Sequence, residues 1–224
     1  MKFIKPEFII SNKYSHLLAV LIVFLLFAPS YEQNIQIPGS NLITITLLIT
    51  IFMCLRATVE NVKMFWLCVI IVTIGFIMDV TSFHIKDFHL AKTLSGIATL
   101  IDTIFVALTI ILLMRSMFRA AEVDANIIIG GISVYLLIGI FWALIYLLLN
   151  DLERNIIELD TDGSLFYFSF TTLTTLGYGD ITPKGKVAMM LANFEAISGQ
   201  MYLTVFVARL VGLHIAKDIK RTPI

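Results

Sequence analysis

Charge is what this sequence has least of. Aspartate, glutamate, lysine and arginine make up 14% of its 224 residues, where an ordinary soluble domain carries about 25%. With 58% hydrophobic content the shortfall excludes a water-soluble globule, which could not hide so much apolar surface. Neither sign is in excess: 16 basic and 16 acidic residues leave a formal net charge of zero, so no long-range pull toward nucleic acid follows. Cysteine is nearly absent. Cys54 and Cys68 fall inside apolar blocks and read as small buried hydrophobes, not as a disulfide pair. Tandem repeats, low-complexity stretches, nucleophile–base arrangements and phosphate-cradling loops are also missing. Catalysis, nucleic-acid binding, a cofactor and a soluble regulatory domain are therefore not expected.

What is present is long apolar runs, with a mean hydropathy of +0.93. Such runs are the signature of bilayer-spanning helices. Six spans can be drawn, at 14–29, 38–55, 64–82, 94–114, 126–149 and 186–210. The first, preceded by Lys2, Lys5 and Lys13 and ending in Ala28-Pro29-Ser30, reads either as a cleaved secretory leader or as a retained helix; the six-helix plan favours retention. The apolar stretch from Ser164 to Gly179 is too short to span and ends in a glycine-rich turn, which suits a re-entrant loop. Eleven of the 16 basic residues (Lys2, Lys5, Lys13, Arg56, Lys63, Arg115, Arg119, Arg209, Lys217, Lys220 and Arg221) fall on one side of this plan. The positive-inside rule then makes both termini cytoplasmic and opens the loop to the outside. The 94–114 segment holds Asp102 and no lysine or arginine, so conventional voltage sensing is not expected. Asp79 and Asp102 read as polar contacts between helices, and residues 115–126 as a short interfacial linker helix.

One stretch carries chemistry: Phe166-Tyr167-Phe168-Ser169-Phe170-Thr171-Thr172-Leu173-Thr174-Thr175-Leu176-Gly177-Tyr178-Gly179-Asp180. A cation entering a narrow path sheds water, and other oxygens must replace it. Backbone carbonyls can do so if successive residues turn them toward one axis, which needs dihedrals alternating in sign. Glycine tolerates this, and Gly177 and Gly179 sit two apart. Thr175 adds a hydroxyl oxygen. Upstream, Ser164 to Thr174 reads as a short helix with N-cap chemistry from Asp160, Asp162 and Ser164. Its C-terminal end would bring partial negative charge toward the bilayer centre.

These residues resemble the potassium channel pore family, whose filter is usually written T-V/I-G-Y-G-D and whose carbonyl-lined filter is a standard illustration of ion selectivity. The resemblance covers residues 126 to 212 well; the helices before it match six-helix members only in number and order. It departs at Leu176, where valine or isoleucine is usual, and conduction is expected to survive because that side chain should point away from the ions. The resemblance implies that K⁺ is bound by the carbonyls of Thr175, Leu176, Gly177 and Tyr178, with Gly179 permitting the outer turn. It implies filter support from Tyr167, Thr171, Asp180 and Glu195, with Asp180 accepting a hydrogen bond from Tyr167. Tyr167 and Phe168 would pack behind the filter, with Tyr178 facing them.

In the last apolar segment Gly199 stands where the family places a flexible hinge glycine; close helix packing is the competing explanation. Gln200, Leu203, Thr204 and Val207 share a helical face and by resemblance would line an inner cavity. Glu195, ionisable at membrane depth, marks a functional position: either a partner for groups behind the filter, or a neutral, hydrogen-bonded acid. Arg209 should snorkel to the cytoplasmic interface. The acidic residues between Asp151 and Asp162 read either as a cation-concentrating vestibule or as a solvated loop. His84, Asp87 and His89 lie close together, a pattern more often without metal than with it.

The expected fold is an all-α integral membrane protein: six transmembrane helices, a re-entrant pore helix and filter between the fifth and sixth, and a tetrameric pore. Residues 1–125 would form a four-helix transmembrane domain resembling a voltage-sensor bundle without its arginines, 126–212 the pore domain, and 213–224 a short cytoplasmic tail. The expected function is passive, potassium-selective conduction by a homotetramer in the plasma or inner membrane. A non-selective cation channel, a potassium-uptake transporter subunit and a non-conducting accessory subunit are the alternatives.

Overall fold

The computed structural model of the chain describes residues 14–32, 62–85, 87–120, 122–152, 157–158 and 164–221. In chain order they form α1 (Ser15–Glu32), α2 (Val62–His84), α3 (Phe88–Arg119), α4 (Ala125–Leu152), the two-residue strand β1 (Ile157–Glu158), α5 (Leu165–Leu173), β2 (Thr182–Pro183) and α6 (Lys186–Arg221).

Helix boundaries fall where side chains satisfy the orphan backbone donors. Asp87 caps α3 by accepting from the amides of His89 and Leu90, at 2.9 and 3.3 Å. Asp124 accepts from the amide of Ile127 at 2.9 Å and so opens α4. Inside the helices several hydroxyls are satisfied locally. Thr73, Thr99, Thr103 and Ser133 each donate to the carbonyl four residues back, at 2.7 to 3.0 Å. That suits a medium without water, where each unsatisfied polar group costs free energy.

At the centre stands α4, packed against α1, α3, α5 and α6. Tyr14, Leu17, Leu21 and Phe24 from α1 and its leading residue join Val106 and Leu113 of α3, Val134, Leu137 and Ile140 of α4, and Phe166 of α5 in one buried cluster. Phe24 meets Phe166 edge to face, with centroids 5.4 Å apart. A second cluster (Tyr146, Ile157, Leu165, Phe168, Ile181 and Ala188) surrounds the base of α5. Antiparallel pairing of β1 with β2 sets Ile157 opposite Pro183 and closes the segment that holds α5 and the turn after it. The α2 helix packs on α3, and its remaining faces expose Trp66, Ile70, Ile71, Ile74 and Ile77.

The six-span plan is corrected. Among the described residues three helices are long and apolar enough to cross a membrane: His89–Arg119, Ala125–Asn150 and Lys186–Lys217. They correspond to the fourth, fifth and sixth expected spans. The first and third correspond to the shorter apolar stretches Ser15–Leu26 and Val69–Ser82 among the described residues. The second, 38–55, lies outside the described residues. The six-helix tetrameric pore therefore does not stand as the fold; the chain is an all-α, multi-pass membrane protein with three crossings among its described residues. The physical reason is that apolar content alone does not fix what an apolar face meets. Leu17, Leu21 and Phe24 are spent on contacts with α4 and α5. Nor do residues 115–126 form a separate linker helix: 115–119 continue α3, which ends at the extended Ala120.

Replacing Phe24 by alanine leaves a void between α1 and α5. The packing part of the loss persists in detergent or lipid, so the variant should lose on the order of 2 kcal/mol of stability. A lowered unfolding midpoint in detergent checks this; an unchanged midpoint would show that α1 does not stabilise the bundle.

Candidate functional site

Ser164 begins the site as the N-cap of α5, its hydroxyl accepting from the amide of Tyr167 at 3.3 Å. Asp160 and Asp162, expected to share that role, lie outside the described residues. The helix ends at Thr174, and the chain then takes left-handed φ at alternate positions: Thr175 at 59°, Gly177 at 51° and Gly179 at 80°. Thr175 is the one non-glycine residue among those described with positive φ, a costly conformation for a β-branched side chain that persists only when its surroundings impose it.

The surroundings are visible in the hydrogen bonds. Amides of Leu176 and Gly177 both donate to the carbonyl of Thr171, at 2.8 and 3.2 Å, and that of Thr175 donates to Thr172 at 2.9 Å. The N–H side of the turn is thus folded onto the end of α5. Among the described residues, no backbone N–H is bonded to the carbonyls of Thr175, Leu176, Gly177 or Tyr178.

A chord closes this arc on its outer side. Tyr167 Oη donates to Asp180 Oδ2 at 2.7 Å, and the amide of Ile181 donates to Asp180 Oδ1 at 3.1 Å. The Tyr167 bond holds the Asp180 carboxyl below its ordinary range, and the same bond pushes the Tyr167 phenol up to about 12. Both shifts have the sign of a phenol donating to an ionised carboxylate. Thr171 donates its hydroxyl to the Phe168 carbonyl at 3.0 Å. Phe168 is buried edge to face on Tyr146, whereas Tyr178, expected to face Tyr167 and Phe168, is 69% exposed in the single chain.

Behind α5, Glu195 of α6 is completely buried. Its Oε2 lies 2.6 Å from Tyr146 Oη and its Oε1 2.5 Å from Ser169 Oγ, and Ser169 Oγ also lies 2.7 Å from the Gly139 carbonyl oxygen. Three helices meet at one carboxyl. Trp142 Nε1 donates to Ser198 Oγ at 3.2 Å alongside. At Gly199 α6 runs against the C-terminal end of α5, where a Cβ would fall 2.5 Å from the Leu173 carbonyl oxygen. This site is one of close packing. Gln200, Leu203, Thr204 and Val207 are all exposed on α6, whose crossing stretch is 11% buried, against 39% for α3 and 44% for α4.

Arg209 does more than reach water. Its Nη2 donates to the carbonyls of Phe118 and Ala120 at 2.6 and 3.0 Å, and its guanidinium sits 4.9 Å over the Phe118 ring, placing a cation at the C-terminal end of α3 where the helix dipole favours one. Lys217 pairs with Glu122 at 2.7 Å. No group of three histidine, cysteine, aspartate or glutamate side chains among the described residues could hold a metal ion. Asp87 caps α3, and His84 Nδ1 lies 2.9 Å from the Val80 carbonyl oxygen. Most of the acidic segment before α5 lies outside the described residues.

Sequence reasoning picked out Glu195, Gly199 and the turn, but missed Tyr146, Ser169 and Gly139 as the groups around Glu195. A signal existed for one of them: Ser169 is the one small polar residue in the aromatic-rich run 165–170.

Residues 132–214 match a protein-family profile described as "Ion channel". Over 76 residues the chain is 37% identical to the inward rectifier potassium channel Kirbac3.1 of Paramagnetospirillum magnetotacticum, an alignment covering 33% of this chain and 24% of that protein. The chain thus aligns with about a quarter of its relative's length. Both similarities support the likeness to ion channels, and to transport without enzymatic chemistry; the six-helix form attached to that likeness is overturned by the three crossings.

Two substitutions test the geometry. Tyr167→Phe removes the donor to Asp180, so the Asp180 carboxyl should titrate at higher pH than in the unmodified chain, a shift readable by infrared or NMR titration. No change would mean that the bond does not form in the bilayer. Gly199→Ala forces a methyl against the Leu173 carbonyl and should cost on the order of 1–3 kcal/mol, seen as a lower unfolding midpoint in detergent. An unchanged midpoint would show that α6 and α5 are not in close contact there.

Proposed function

We propose that this chain is a subunit of a potassium-selective channel and that Thr175-Leu176-Gly177-Tyr178-Gly179 is its filter. The observation that carries the proposal is the alternation of left-handed φ at 175, 177 and 179. In a strand that alternates this way, successive carbonyls face the same direction, and a row of backbone oxygens replaces the water a potassium ion sheds. The amides bonded to Thr171 and Thr172 support it, since they hold the turn from its other side. So does the relative whose printed name is a potassium channel.

The ion sites are the carbonyls of Thr175, Leu176, Gly177 and Tyr178, with the Thr175 hydroxyl at the inner end. Transport is passive, down the electrochemical gradient. One strand lines only one side of a path, so the pore needs several copies. We assign four identical chains, with residues 126–212 as the pore-forming unit of each. The barely buried α6 supports an assembly, because its Gln200, Leu203, Thr204 and Val207 face would border a central cavity while other copies cover neighbouring faces. The C-terminal ends of four α5 helices would add partial negative charge below the filter. Tyr167 and Asp180 brace the outer turn, and Thr171 holds the amides beneath it. The C-terminal end of α6 lies on the cytoplasmic side, the side on which Arg115, Arg119, Arg209, Lys217, Lys220 and Arg221 cluster by the positive-inside rule.

Purified protein in liposomes should pass potassium and rubidium far faster than sodium. Equal potassium and sodium flux would replace this proposal by a non-selective pore, and uptake coupled to another gradient by a transporter. Gly177→Val, a β-branched residue at φ 51°, should abolish selective flux while leaving assembly size unchanged. Wild-type selectivity in that variant would remove the filter assignment.

A further inference from the structure

The permeation proposal leaves the protonation state of the carboxyl behind α5 open, and counting hydrogens settles it. Ser169 Oγ stands 2.5 Å from Glu195 Oε1 and 2.7 Å from the Gly139 carbonyl oxygen. A serine hydroxyl has one hydrogen, and a carbonyl can only accept. If Glu195 were a carboxylate, two acceptors would compete for that hydrogen, and one short oxygen–oxygen contact would lack a proton of its own. With a proton on Oε1 every contact is served. Glu195 donates to Ser169, Ser169 donates to the Gly139 carbonyl, and Tyr146 donates to Oε2 at 2.6 Å.

The setting agrees. Glu195 is fully buried, and among the described residues no basic side chain forms an ion pair with it. Tyr146 on α4 is the titratable group touching it, Tyr135 of the same helix lies within electrostatic reach, and α5 presents only the Ser169 hydroxyl. A buried charge without a counterion is far costlier than a buried neutral acid with all its hydrogen bonds made.

We infer that Glu195 is an uncharged carboxylic acid that acts as a positioning residue for the filter. It bolts α6 through α5 to α4, and this rests on the filter assignment above. Ser169 lies two residues before Thr171, whose carbonyl holds the amides of Leu176 and Gly177. A shift or rotation of α5 at Ser169 therefore displaces the point from which the turn is hung. Loss of the bolt changes the spacing of the ion-facing oxygens, and with it the discrimination between ions of different radius.

Glutamine tests the idea because it is neutral, donates from its amide to Ser169 and accepts from Tyr146. Full-length protein in liposomes should keep its potassium-to-sodium permeability ratio in Glu195→Gln and lose at least about tenfold of it in Glu195→Ala. Ser169→Ala, which removes the relay while leaving the acid, should fall between them. Glu195→Gln behaving like Glu195→Ala would overturn the uncharged assignment, and wild-type selectivity in a folded Glu195→Ala would overturn the positioning role. Should Glu195→Ala not fold, infrared difference spectra between wild-type and Glu195→Gln protein decide the first point. The carbonyl stretch of a protonated carboxylic acid must disappear in the variant, and its absence from the wild type would refute the assignment. Wild-type protein with no selective flux but with that band would sink the filter assignment and leave the protonation standing.

Discussion

At membrane depth a backbone polar group must find a partner inside the protein or face a watery path, and as the proposed filter the segment from Thr174 to Gly179 would answer that requirement. A helix satisfies both its donors and its acceptors internally; an extended strand satisfies neither. Here the two sets are separated. The amides of Thr174 to Gly177 turn back to the carbonyls of Phe170, Thr171 and Thr172, and the acceptors of Thr175 to Tyr178 are left on the other side. Left-handed backbone at three alternate residues is the geometric cost of this separation. Two of the three are glycine, for which the conformation carries little penalty.

Holding such a turn requires a rigid support, and α4 provides it. Gly139 serves twice in this role. A Cβ there would meet the Phe170 ring at 2.5 Å, so its absence lets α5 lie close, and its carbonyl oxygen receives Ser169. On the opposite flank Gly199 permits α6 to approach the end of α5. The short helix is thus clamped between two spanning helices at points where neither has a side chain. Hydrophobicity gives little drive for helix association within lipid, so close contact and shared hydrogen bonds do more of the work there.

Much of this was legible in the chain, for reasons that differ by element. The three crossings are long, predominantly apolar runs whose centres length and composition place, while α3 and α6 run past the expected 94–114 and 186–210 to His89–Arg119 and Lys186–Lys217. The turn was legible because glycine two residues apart is a statement about backbone angles. The first run misled because hydropathy cannot distinguish lipid from protein as the neighbour of an apolar face; Leu17, Leu21 and Phe24 are buried against the bundle. Glu195 stood out as an acid in an apolar run, yet its partners could not be read. Tyr146 and Ser169 lie 49 and 26 positions away, and no local period links them. Arg209 was foreseen as a cation at the interface, but its carbonyl partners on α3 depend on how the cytoplasmic ends of α3 and α6 meet.

The small ladder between Ile157 and Pro183 has a consequence for the proposed assembly of copies. By tying the chain before α5 to the chain just past the turn, it closes a loop inside one subunit, and the entropy of ordering that segment is lost during folding of the monomer. In the proposed assembly, neighbouring copies would then meet edges already shaped, and their association would not carry that cost. Such an assembly would be the docking of finished parts, with the geometry of the proposed axis inherited from each part separately.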